Sequence, residues 1–254
     1  MKNQHTSCFF RAVLLFALHP FMAHAGQAHI AVASNFAAPM KVLAAQFEQA
    51  SGHTLTLSFG STGKFYAQIK NGAPFDVLLA ADDETPSRLM REGDAVQRQT
   101  YAIGRLVLWS ARPGFIDGSD AVLRQNRFQR LAIANPKLAP YGAAAVGVLA
   151  KLKLTDSVQH KFVMGENIAQ TYQFVASGNA ELGFIALSQV MQDGKLSGGS
   201  AWLVPASLHA PIRQDAVLLD RGKNNEAARA LFDFMKTPAT ALTLTRSYGY
   251  GYER

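Results

Sequence analysis

Four short segments of this 254-residue chain place hydroxyls, amides or small turn residues where a strand gives way to a helix: Ala33-Ser34-Asn35, Gly60-Ser61-Thr62-Gly63, Pro140-Tyr141-Gly142 and Glu166-Asn167-Ile168. The first turn of a helix leaves backbone N–H groups without intrahelical acceptors, and the aligned peptide dipoles make that end positive. Such an end favours an anion. Hydroxyls and amides beside it add donors without adding charge, so these segments point to capture of an oxyanion by neutral groups. Ser and Asn also cap helices on their own account. The repetition of a hydroxyl-rich start after two adjacent strands, with Gly60 and Gly63 allowing close backbone approach, is what points to a site. Gly60-Ser61-Thr62-Gly63-Lys64 fails as a nucleotide phosphate loop, because the first glycine of that pattern would fall at Ser58 and the residue after the lysine is Phe65.

The elements that must position these turns alternate along the chain. Residues 29–33 are expected as a buried strand, 39–50 as a helix with Met40, Leu43, Ala44 and Phe47 on one face and Gly52 as its stop, and 54–59 as a second strand. A helix over 64–70 and a strand over 75–80 complete a βαβαβ opening of the doubly wound type, whose ligand crevice lies at the carboxyl ends of the strands. The alternation then resumes with strands at 103–109 and 130–134, a helix at 142–152, a strand at 162–164, a helix at 168–177 and a strand at 181–186. A strand at 215–219, a helix at 225–235 and a last helix from Pro238 towards Tyr248 follow. This predicts an α/β chain of two lobes, with the C-terminal end returning to the first.

Hydrophobic residues make up 48% of the chain and charged residues 17%, which suits sizeable cores and argues against disorder. Residues 1–25 read as a leader: Lys2 and Arg11, the apolar run 12–18, and Ala23-His24-Ala25 as a small-x-small cleavage site. The apolar run is too short to span a bilayer, which takes about 20 residues, so a cleaved signal peptide and a periplasmic product are expected. The single cysteine, Cys8, lies in that leader without a lipobox around it. The remaining chain then has no disulfide, thiolate metal ligand or cysteine nucleophile. The formal charge of +7 falls to a surplus of 5 once Lys2 and Arg11 are removed. That surplus favours encounter with anions, but the basic residues are scattered without aromatic interleaving, which argues against nucleic acid.

Further segments add specificity. Ala33-Ser34-Asn35-Phe36, Gly60 to Gly63 with Phe65-Tyr66-Ala67-Gln68-Ile69, and Asn71-Gly72-Ala73-Pro74-Phe75-Asp76-Val77 running on to Ala81-Asp82 are followed by Tyr101-Ala102-Ile103-Gly104 with 106–110. Asn135-Pro136 to Tyr141-Gly142 and Leu182-Gly183-Phe184 with Ala186-Leu187 complete the set. In this order, across nearly the whole chain after the leader, the set resembles the molybdate-binding proteins of ABC importers. The resemblance implies a two-lobed periplasmic binding-protein fold (type II), each lobe a mostly parallel sheet flanked by helices. Lobe 1 would be 26–104 plus 214–254 and lobe 2 would be 105–213, joined by crossover strands. It implies a tetrahedral oxyanion, molybdate or tungstate, buried between the lobes and held through its oxygens by Ser34, Asn35, Ser61, Thr62, Tyr141 and Ile168, the last through its backbone N–H. Where some members have a tyrosine after the Leu182-Gly183 strand, this chain has Phe184-Ile185-Ala186-Leu187 and would use the Pro140-Tyr141 loop instead. No cofactor is implied, the partner is an inner-membrane permease, and the default is a monomer.

A donor-only site suits dianions that carry no proton near neutral pH, whereas a carboxylate acceptor would select a protonated oxyanion. Sulfate is equally deprotonated, so a receptor for sulfate or phosphate is the alternative that cavity size must decide. An iron receptor would need converging Tyr, His or carboxylate ligands. Tyr248, Tyr250 and Tyr252 follow the last helix and are expected to pack or lie on the surface. An enzyme is disfavoured by the lack of His-Glu-x-x-His and Gly-x-Ser-x-Gly patterns. Asp76, Asp82 and Asp83 near the third strand are expected to cap the next helix or to contact the other lobe.

Overall fold

The computed structural model describes residues 25–251, so the expected leader lies, but for its last residue, outside the described residues. In chain order the elements are β1 (Gln27–Ala33), α1 (Ala37–Ser51), β2 (Thr54–Gly60), α2 (Thr62–Lys70), β3 (Val77–Leu79), α3 (Glu84–Arg91), β4 (Ala95–Gly104), β5 (Leu106–Ser110), α4 (Ala121–Gln125) and β6 (Leu131–Ala134). They continue with α5 (Pro140–Lys151), α6 (Thr155–Val158), β7 (Phe162–Gly165), α7 (Ile168–Ala176), β8 (Leu182–Ala186), β9 (Met191–Gln192), β10 (Lys195–Leu196), β11 (Ser200–Leu203), β12 (Ile212–Leu219), α8 (Glu226–Phe234) and α9 (Pro238–Tyr248).

Local chemistry explains the best-defined of these. β1 is buried on both faces, with Ile30, Ala31 and Val32 sealed from solvent, as expected of a central parallel strand. α1 buries Met40, Leu43, Ala44 and Phe47 and stops at Gly52, whose φ of 74° places it in the left-handed conformation that ends helices. The first sheet has the order β2-β1-β3-β12-β4 and the second β11-β5-β8-β6-β7. Both are mixed, where mostly parallel sheets were expected. β1 pairs parallel with β2 and β3, but β12 runs antiparallel to β3 and β4. In the second sheet β6 is parallel to β7 and β8, while β5 is antiparallel to β8 and β11.

The physical reason lies in the crossings. The apolar run expected as one strand over 103–109 is two strands, β4 and β5, separated only by Arg105 and belonging to different sheets. The chain returns to the first sheet in β12, so each sheet acquires a strand that arrives from the other and runs against its neighbours. Leu231 and Phe232 of α8 and Leu244 of α9 then pack with Ile30, Val32 and Phe36 in the core of the first sheet. Among the described residues, no helix is long and apolar enough to cross a membrane.

Candidate functional site

Strand register brings the four turns together. Ala33, the last residue of β1, is paired with Gly60, the last of β2, so the 3-10 turn Ser34–Phe36 and the start of α2 emerge side by side. In the second sheet Ala134 is paired with Gly165 at the ends of β6 and β7, which sets the starts of α5 and α7 beside each other. The two sets face one another around a small cavity of about 10 Å³. Ser34, Asn35, Ser61, Thr62, Tyr141 and Ile168 all line it, with only Ala and Pro residues and Gly60 between them. No lining residue carries a charge.

The donors differ in how free they are. Ser61 Oγ is buried and has no hydrogen-bond partner, an arrangement that costs stability unless something fills it. Thr62 Oγ1 accepts the Ala81 N–H at 3.0 Å, which occupies a lone pair and leaves the hydroxyl proton to point elsewhere. Ser34 Oγ donates to the Gly60 carbonyl at 2.8 Å. At the start of α7, Asn167 Oδ1 accepts from the N–H groups of Ala169 and Gln170, both at 3.0 Å, so the cap satisfies the second and third helical donors and leaves the first, Ile168 N–H. Tyr141 stands second in α5 after Pro140, where its N–H has no intrahelical acceptor.

Two side chains in the expected set point away from the role that their type suggests. Asn35 Nδ2 donates to Gln214 Oε1 at 2.9 Å and to the Tyr250 hydroxyl at 3.0 Å, which uses both amide protons. The Tyr141 hydroxyl accepts from Gln214 Nε2 at 3.0 Å. Burial pushes its pKa well up, opposed by the hydrogen bond from Gln214. Asn35 therefore has only its main-chain N–H to offer the cavity, whereas Tyr141, whose hydroxyl accepts in this bond, keeps its O–H proton as well as its main-chain N–H.

The two halves touch directly around this site. Gly63 N–H donates to the Leu138 carbonyl at 3.0 Å, Ser188 Oγ to the Asn35 carbonyl at 2.8 Å, and Lys64 pairs with Glu166. The last pair is half-exposed and contributes little to stability. A wider cleft of about 420 Å³ adjoins the small cavity through Ala81, Ala139 and Pro140; Asp82, Lys137 and His209 line it.

Asp82 caps the start of α3, accepting from the Thr85 N–H at 3.0 Å and from its hydroxyl. Burial nevertheless pushes its carboxyl up to about 6. The folded chain then holds a proton that the unfolded chain has released, so this group favours the fold most below ~pH 4, and that contribution is lost as pH rises through about 6. Asp82→Asn is expected to flatten the fall in stability across this window, on the order of 3 kcal/mol, in denaturant melts taken from pH 4 to 7. An unchanged slope would show that another group carries it. Asp76 instead accepts the His29 N–H at 2.8 Å.

Sequence reasoning missed Gln214, Ser188 and the role of Tyr250. Gln214 lies between Arg213 and Asp215 at the polar start of β12, so its neighbours gave no signal of a buried role. Tyr250 is buried as expected of a packing residue, but its hydroxyl lies 3.0 Å from both the Asn35 carbonyl and Ser188 Oγ. Tyr252 lies outside the described residues. Among the described residues, no group of three or more His, Cys, Asp or Glu is placed to hold a metal ion.

Comparison with known proteins adds relatives to this geometry. Residues 28–251 match the family of bacterial extracellular solute-binding proteins. The chain is 60% identical to the molybdate-binding protein ModA of Azotobacter vinelandii over 91% of its length and 92% of the relative's. It is 50% identical to the molybdate-binding protein ModA of Rhodobacter capsulatus over 90% and 89%. A solved structure of an Azotobacter vinelandii periplasmic molybdate-binding protein superposes with a TM-score of 0.86 at 39% identity, covering 89% of this chain and all of that one.

Proposed function

The chain belongs to the bacterial extracellular solute-binding proteins, and from that premise we propose that it captures molybdate, and tungstate, in the periplasm and delivers it to the permease of an ABC importer. Lobe 1, residues 26–104 with 214–254, and lobe 2, residues 105–213, close on the anion as a monomer. The observation that carries this reading is the uncharged cavity with the unpartnered hydroxyl of Ser61 at the start of α2. A fully deprotonated dianion accepts hydrogen bonds on every oxygen and donates none, so hydroxyls and helix-start N–H groups match it without a counter-ion.

Ser61 and Thr62 supply hydroxyls in this reading, joined by Ser34 when its proton turns from the Gly60 carbonyl to the anion, while Asn35, Tyr141 and Ile168 supply backbone N–H groups. The molybdenum or tungsten is held only through its oxygens. No cofactor is needed and no bond is made or broken, so the protein works as a carrier. Contact with both lobes gives the anion more partners in the closed form than in the open one, and that difference in affinity drives closure. The closed form is what the permease reads.

Isothermal titration with molybdate, tungstate, sulfate and phosphate tests the proposal. Tight binding of the first two and none of the last two is expected; sulfate or phosphate binding in their place would overturn the substrate. Thr62→Ala is expected to weaken molybdate binding by about 1–3 kcal/mol, the usual effect of removing one partner of a buried charged group. Unchanged affinity would remove Thr62 from the site.

A further inference from the structure

Gln214 sits fully buried on β12 at a register shift in its pairing with β4, where the chain passes between the sheets. Each end of its amide serves a different half of the molecule. Oε1 accepts from Asn35 Nδ2 at 2.9 Å and from the Tyr101 hydroxyl at 3.0 Å, both in the first half. Nε2 donates to the Tyr141 hydroxyl at 3.0 Å in the second. Asn35 and Tyr141 both line the cavity. Gly104 makes this junction possible, since a β-carbon there would lie 2.3 Å from the Tyr141 hydroxyl and 2.5 Å from Gln214 Nε2.

We infer that Gln214 is a positioning residue that ties lobe closure to anion capture, its single amide holding Asn35 of one lobe and Tyr141 of the other in one register. It touches no ligand itself. The Asn35 side chain, fixed by Gln214 and Tyr250, holds the Ser34–Phe36 turn so that its N–H groups face the cavity. The bond to Tyr141 forms only when the second lobe is in place. A residue with an acceptor but no donor could serve one lobe alone, which makes the amide the chemical requirement at this position.

This inference rests on the proposed molybdate reading, and Gln214→Glu separates the two. A protonated glutamic acid has both an acceptor and a donor and replaces the amide; its carboxylate has no donor and adds a negative charge beneath a dianion. The titratable groups facing the position are the Tyr101, Tyr141 and Tyr250 hydroxyls, all pushed up by burial, and Asp82, which acts on Tyr101. Asp215, the next residue on β12, is engaged with Thr100 and Arg98. Asp82 is present in every variant, so affinity is read as a ratio to the unsubstituted chain at each pH.

Molybdate titrations of the full chain from pH 6 to 9 should place Gln214→Glu within about tenfold of the unsubstituted chain at the acid end and at least about 100-fold weaker at the alkaline end. Gln214→Leu should be weaker by a constant factor throughout. A ratio for Gln214→Glu that does not change with pH, or a Gln214→Leu chain that binds normally, would overturn the assignment while leaving the carrier reading intact. If Gln214→Glu does not stay folded in thermal melts at alkaline pH, the Gln214→Leu result decides. Failure of the unsubstituted chain to bind molybdate would overturn the carrier reading and this inference with it.

Discussion

Ser61→Asp is expected to abolish tight molybdate binding while leaving the fold in place. Ser61 is the N-cap of α2, in extended backbone geometry, and aspartate caps a helix start about as well as serine. The helix should therefore persist. The cavity, however, would gain an acceptor-only carboxylate among groups that otherwise offer protons. A unit charge about 4 Å from a dianion at an effective dielectric near 20 opposes binding by several kcal/mol. Partial protonation of the new carboxyl relieves some of this, so a loss of roughly 1,000-fold, ~4 kcal/mol, is expected by calorimetry. A melting temperature close to that of the parent would separate this loss from unfolding. Binding within tenfold of the parent would place the anion away from Ser61.

Gly142→Ala should cause a comparable loss, in stability. A β-carbon at Gly142 would lie 2.1 Å from the Ala134 carbonyl oxygen and 2.7 Å from its carbon. Both atoms are backbone, in the last residue of β6, and cannot turn aside as a flexible side chain would. α5 must therefore lift from the strand that it follows, disturbing Tyr141 and the buried Ala145, Val148 and Leu149. Overpacking of this kind costs about 3 kcal/mol or more, or roughly 6–12 °C in melting temperature for a chain of this size. Gly147→Ala is the control, since a β-carbon at Gly147 meets nothing within 4 Å, and alanine is the better helix former. Equal melting temperatures for the two variants would disprove the clash.

Much of the site was legible locally. Ser34, Asn35, Ser61, Thr62, Tyr141 and Ile168 each stand at or just before a helix start that residue order alone reveals, because a cap and the apolar face that follows are written within a few positions. Which atoms they present was not legible. Asn35 looked like a side-chain donor, yet both of its amide protons are engaged at the junction between the sheets, and the Tyr141 hydroxyl accepts there from Gln214. The partner of Asn35 stands 179 residues along the chain, and no periodicity encodes such a distance.

The strand division at Arg105 shows the same limit. An apolar run announces burial, and burial is all that 103–109 had to announce; nothing in hydropathy says that Ile103 and Leu106 belong to different sheets. By itself, the sequence determined the alternation of strands and helices, the helix-start turns and the neutral character of the groups that they carry, since each depends on neighbours three or four residues apart. The tertiary structure decided that the sheets are mixed, that Gln214, Ser188 and Tyr250 stand behind the cavity, and that the Asn35 amide protons are engaged with Gln214 and Tyr250. Those outcomes depend on which distant polar groups meet when apolar surfaces are buried, because a buried donor must find its acceptor wherever the fold brings one.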